Sequence, residues 1–153
     1  MNYIEHLFFS LAVNGVVLFV LAFLGFTIEI TPLLFFAYFV FTLLPDIDSR
    51  HSKASQLLFA ALSGLLLYSI IEILLNGFTL LSVGGIILAI SFFLIHLAIS
   101  RDDKFHRAFP HTPSFGVISC SAFFLITLSP IATLVAAVSF LSHLVADKNV
   151  QLR

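Results

Sequence analysis

The chain has 153 residues, 60% hydrophobic and 10% charged, with a formal net charge of -1 and a mean hydropathy of +1.13. An average soluble domain carries roughly 25% charged residues, so this composition excludes an ordinary soluble enzyme, and the absent positive balance excludes a nucleic-acid binder. What remains is an integral membrane protein of one domain, residues 1–153, whose single Cys120 permits no internal disulfide.

The first apolar run, Leu7 to about Phe26, has no basic flank and exceeds the roughly 7–15 residues of a signal-peptide core, so it reads as a retained helix. Pro32 suits the first position of a second helix, which runs to about residue 44 and stops at Pro45. A third helix covers about 54–75, Asn76-Gly77 supplies a turn, and a fourth covers about 79–99. After a polar loop, a fifth runs about 115–128 and a sixth about 130–146, separated by Ser129-Pro130. Helices 1, 3 and 4 reach the ~20 residues that cross a hydrocarbon core; helices 2, 5 and 6 are short for it. The expected fold is all-α, a polytopic membrane bundle of six helices in three hairpins.

Such hairpins put residues 1–6, 45–55, 100–114 and 147–153 on one side. All seven basic residues, Arg50, Lys53, Arg101, Lys104, Arg107, Lys148 and Arg153, fall there. By the positive-inside rule that side, with both termini, is cytoplasmic at the inner or plasma membrane.

The same side gathers His6, Asp46, Asp48, His51, Asp102, Asp103, His106, His111, His143 and Asp147. His143 and Asp147 are four apart and share one face of a helix. Each segment alone has a plainer reading. Asp46 and Asp48 suit a capping turn, the basic loop suits lipid headgroups, His143 with Asp147 suits a helix end reaching for water, and His96 suits an interior hydrogen bond. Coincidence shifts the balance, because four segments bring imidazoles and carboxylates to one face of a chain nearly free of both, and ionisable groups at a membrane are expensive and usually functional. Imidazole and carboxylate without thiolate suit Zn, Mn or Fe. The donor set suffices for one metal or two, as in phosphoester-cleaving centres. Arg50 and Arg107 are placed to bind a phosphate oxygen.

His6, "LPDID" at Leu44–Asp48, "HRAFPHT" at His106–Thr112 and "SHLVAD" at Ser142–Asp147, in that order along the whole chain, resemble the YdjM-like family. That family is described as LexA-binding, inner membrane-associated hydrolases or membrane-bound metal-dependent hydrolases. The resemblance implies His6, Asp46, Asp48, His106, His111, His143 and Asp147 as metal ligands. Asp46, Asp48, His106 and Arg107 would then carry the chemistry. The chain departs from the family pattern at Ala108, Pro110 and Thr112, where Gly, Thr and Ser are usual; Pro110 removes a hydroxyl and a backbone donor. Helices that follow in longer members are missing after Asp147, which points to a homo-oligomer completing the bundle.

The expected function is a membrane-bound metal-dependent hydrolase, zinc first among its metals, acting on a phosphoester of a lipid or lipid-linked substrate. A second reading is a non-catalytic regulatory protein with a structural metal, partnered by a LexA-type regulator. A third is a metal-ion or proton transporter, for which the helix interiors offer few ionisable groups beyond His96 and Glu72.

Overall fold

The computed structural model describes residues 3–48, 52–99 and 110–147, without the side chains of Ile47, Asp48, His96, Ala98 and Ile99. Six α-helices and one 3₁₀ helix account for nearly all of them, and no strand occurs among the described residues. They are α1 Tyr3–Phe23, α2 Pro32–Leu43, the 3₁₀ helix Leu44–Asp48, α3 Lys53–Asn76, α4 Leu80–Ile99, α5 Pro113–Thr127 and α6 Pro130–Ala146.

Local chemistry sets the helix ends. Three helices start at a proline: Thr31-Pro32, Thr112-Pro113 and Ser129-Pro130. Proline's fixed φ suits the first helical position, where its missing N–H would have had no partner. Thr112 and Ser129 add side-chain caps, accepting from the backbone N–H of Phe115 and Ala132 at 3.3 Å, and Ser52 caps α3 in the same way through Ser55 at 3.0 Å. The Thr112 cap moves the start of α5 two residues ahead of its expected position. At the other ends, α1 closes on Gly25 (φ 92) with bonds from Gly25 N–H to Ala22 O and from Phe26 N–H to Leu21 O, the paired bonds of a Schellman motif. α3 closes on Gly77 (φ 81), whereas α5 closes on Leu128 at φ 49, a left-handed conformation a leucine adopts only at a cost.

Each of the expected pairs packs together, α1 with α2, α3 with α4 and α5 with α6, and α6 also packs against α1 and α2. His6 meets Asp147 and Asn14 meets Ser139, so α1 and α6 run antiparallel: moving up one means moving down the other. Alanines at the α2–α6 contact, Ala37, Ala132 and Ala136, are fully buried, and their small side chains let the backbones approach closely. Phe41 and Phe123 meet edge-on at 5.3 Å in the adjoining core.

The distribution of polarity is inverted. The buried residues of α1 are His6, Ser10 and Asn14, while Phe8, Val16, Phe19 and Phe23 point outward at 64–82% exposure. In water a helix would hide the second set and show the first. α1 and α3 are long and apolar enough to cross a membrane. The expectation of three such helices holds for these two. α4 has 20 residues, but its apolar stretch of described side chains, Leu80–Ile95, is shorter, as are α2, α5 and α6.

Candidate metal centre

One end of the bundle collects the start of α1, the end of α2 with its 3₁₀ extension, the residues leading into α5, and the last turn of α6. Each contributes for a local reason. His6 lies in the first turns of α1, and the 3₁₀ turn begun at Leu44-Pro45 holds Asp46 at the end of α2. His111 immediately precedes the Thr112 cap of α5. His143 and Asp147 stand one turn apart on α6, with Asp147 as its C-cap.

Four of these residues, Asp46, His111, His143 and Asp147, each present a ligand atom, all within 4.8 Å of one another. His143 Nε2 is 3.3 Å from Asp147 Oδ2 and 3.6 Å from Asp46 Oδ1. His111 Nε2 is 3.5 Å from the same Asp147 oxygen. Donors bound to one zinc at about 2.0–2.1 Å in a tetrahedron stand about 3.3–3.4 Å apart, so the three separations fit ligands sharing a cation.

The hydrogen bonding of His143 decides what faces the carboxylates. Its Nδ1 lies 2.7 Å from the backbone carbonyl of Thr42. A carbonyl can only accept, so Nδ1–H donates and a neutral ring presents a lone pair at Nε2. That lone pair meets two carboxylate oxygens, which are also acceptors when ionised. His143 is fully buried, and Nε2 makes no hydrogen bond despite the short separations. A divalent cation placed between the three acceptors would satisfy all of them at once. A ligating imidazole whose other nitrogen donates to a carbonyl is the usual outer-shell arrangement of a metal site. The His/Asp cluster therefore can hold a metal ion.

No family model, curated protein or solved structure matches this chain.

Of the ligands expected from sequence, Asp46, His111, His143 and Asp147 are brought together. His6 is brought to the edge of the group: its Nε2 sits 2.9 Å from Asp147 Oδ1, and its ring stacks on His143 with centroids 4.1 Å apart and planes at 16°. Asp147 thus turns one oxygen to His6 and the other to His111 and His143. His6 Nδ1 and His111 Nδ1 are buried without hydrogen-bond partners. His106, Arg107, Arg50, His51, Asp102 and Asp103 lie outside the described residues, as do the side chains of Asp48 and His96.

A polar layer directly beneath the cluster escaped the sequence reading. Asn14 Nδ2 donates to Ser10 O and to Ser139 Oγ, both at 2.9 Å. Thr42 Oγ1 lies 2.7 Å from Tyr38 O and 2.8 Å from Ser10 Oγ; since the carbonyl only accepts, Thr42 donates to it and Ser10 donates to Thr42. Ser10, Asn14, Thr42 and Ser139 are all buried. They tie α1, α2 and α6 together one turn below His6 and His143, and they fix the stretch of α2 whose carbonyl holds the His143 ring. Their sequence signal was the spacing His6-Ser10-Asn14 and Ser139-His143, polar residues four apart within apolar runs.

Proposed function

We propose that this chain is an integral membrane protein whose His/Asp cluster binds a divalent metal, zinc first and Mn or Fe after it, at the cytoplasmic face of the inner or plasma membrane. It acts there as a hydrolase on a phosphoester of a lipid or lipid-linked molecule. The observation that carries the reading is the placement of His143, whose Nε2 lies 3.3 and 3.6 Å from two carboxylate oxygens while its Nδ1 lies 2.7 Å from the Thr42 carbonyl. Membrane placement is supported by the outward apolar faces of α1 and α3, of whose apolar windows only 17% is buried. The seven basic residues, confined to the terminus, loops and helix start expected on one side, support the orientation.

Asp46, His111, His143 and Asp147 would hold the metal, with His6 and Thr42 as outer partners of Asp147 and His143. A divalent cation in such a site supplies a nucleophile at neutral pH and Lewis acidity toward a phosphoryl oxygen. His6 secures the second oxygen of Asp147, and the Thr42 carbonyl keeps the His143 tautomer that leaves Nε2 free to ligate. His6 and His143 are buried, whereas Asp46 is 26% and Asp147 19% exposed and mark the open side of the cluster. Asp48, His106 and Arg107 belong to the proposal on the motif resemblance alone.

A second reading has an observation of its own. Four described donors are enough to close a tetrahedron, and closed spheres mark structural rather than catalytic zinc. In that case the metal clamps α1, α2, α5 and α6 together, and the protein is a membrane regulator of the LexA-binding type that its motifs resemble.

Metal content of the detergent-purified protein tests both readings. Wild type is expected to hold one or two equivalents of zinc, lost in His143→Ala and Asp46→Ala, and to release phosphate from phosphatidic acid only when zinc-loaded. Bound zinc with four protein ligands by X-ray absorption and no hydrolysis across a phosphoester panel selects the structural role. A wild type that takes up no zinc, manganese or iron when supplied refutes the metal centre.

A further inference from the structure

A groove of about 490 Å³ separates α5 from α6 on the outer surface. Its wall is Val117, Cys120, Phe124, Ala137, Phe140 and Leu141, running along α5 from Pro113 to Leu125. At 1.5 Å per residue that length is about 18 Å. Ser121 and Thr133 are the hydroxyl residues in the lining, and Thr133 Oγ1 already donates to Ser129 O at 2.9 Å. An extended polypeptide laid here would leave its backbone N–H and C=O groups without partners, which is costly wherever water is scarce. A hydrocarbon chain has none to satisfy.

The groove does not end at random. Pro113 stands two residues after His111, and Phe140 and Leu141 lie within one turn of His143 on α6. The metal cluster and this mouth of the groove therefore share one end of the α5–α6 pair. Half of a ~30 Å hydrocarbon core is about 15 Å, so a groove of ~18 Å matches the depth of one leaflet. A site for an anion at one end and a largely apolar channel of leaflet length below it are complementary to a phospholipid with a small anionic headgroup.

We infer that the α5–α6 groove is the acyl-chain subsite of the lipid whose phosphate meets the metal cluster. The inference rests on the metal reading for the headgroup half of the site. The groove positions one chain, and through it the phosphoester, at the end of the bundle where Asp46, His111, His143 and Asp147 converge. The substrate class is then a membrane phospholipid rather than a soluble phosphoester, because binding draws on the chain as well as the phosphate.

The test is photolabelling in phosphatidylcholine nanodiscs with phosphatidic acid carrying a mid-chain diazirine, adducts being mapped by mass spectrometry and zinc being measured on the same samples. Adducts should concentrate on Val117–Leu125 and Ala137–Leu141 over the exposed α3 residues Leu67 and Leu74. Excess unlabelled phosphatidic acid should compete, and glycerol 3-phosphate should not. Ser121→Phe and Ala137→Leu, which fill the groove from opposite walls, should each lower groove labelling about tenfold, the loss expected when two buried methylenes are displaced, with zinc content unchanged. Equal labelling of α3 and the groove in zinc-loaded protein, or competition by glycerol 3-phosphate alone, overturns the chain subsite and leaves the metal reading standing. Wild type that holds no zinc yet labels in the groove refutes the metal reading and leaves the chain subsite standing.

Discussion

Replacing Asp46 by asparagine should stabilise the metal-free protein and destabilise the metal-bound one. Asp46 and Asp147 each present an oxygen to the cluster, no more than 4.8 Å apart. Two unit charges at that separation repel by about 3.5 kcal/mol at an effective dielectric of 20. Both side chains are partly exposed, 26% and 19%, and screening by solvent leaves about 2 kcal/mol of that repulsion. Asp46→Asn keeps the shape and removes one charge, so in chelator the variant should unfold about 4–8 °C above wild type. In zinc at 1,000 times the dissociation constant, wild type gains about 4.1 kcal/mol from binding, and a variant with a weakened ligand set loses most of it. The order of melting temperatures should therefore invert between EDTA and zinc, read by thermal unfolding in detergent. A shift of the same sign and size in both buffers would refute the idea that these carboxylates are held together by a cation.

Three further outcomes follow from particular contacts. Asn14→Leu removes the 2.9 Å bond to Ser139 and loosens the layer that fixes Thr42; zinc affinity should fall about tenfold in competition with a chromophoric chelator, while the helical circular dichroism is retained. Gly116→Ala puts a Cβ 2.5 Å from the ring of the buried Phe140, which should cost about 1–3 kcal/mol in a denaturant titration. Leu128→Gly relieves the left-handed φ of 49° and should raise stability by about 1 kcal/mol in the same titration.

Helix number and most helix positions were legible because apolar runs broken by proline and glycine leave few alternatives: α2, α4 and α6 begin within a residue of where Pro32, Thr79 and Pro130 place them. Boundaries shifted where a cap acted beyond the apolar run, as when Thr112-Pro113 started α5 early, or where a polar residue proved helical, as His6 did. The convergence of Asp46, His111, His143 and Asp147 was legible as residue type and side of the bundle. The Thr42 carbonyl was not, since every residue has one and only folding shows which carbonyl meets an imidazole. Nor could spacing assign His6 to the far oxygen of Asp147 rather than to the main group, because that depends on an α1–α6 packing distance that no local pattern encodes. Ser10 and Asn14 could have been found: in a helix read as facing lipid, polar residues four apart should have marked the inward face.

The antiparallel closure of α1 on α6 also fixes an order of assembly. His6 and Asn14 precede α6 in the chain, but their partners Ser139, His143 and Asp147 come from that helix. Until α6 is in place, the His6 imidazole and the Asn14 amide must keep temporary company elsewhere, while Ser10 is already held by Thr42 of α2. A chain halted after α5 would leave His6 and one side of Asn14 without their α6 partners, a mark by which quality control could tell an unfinished copy from a finished one.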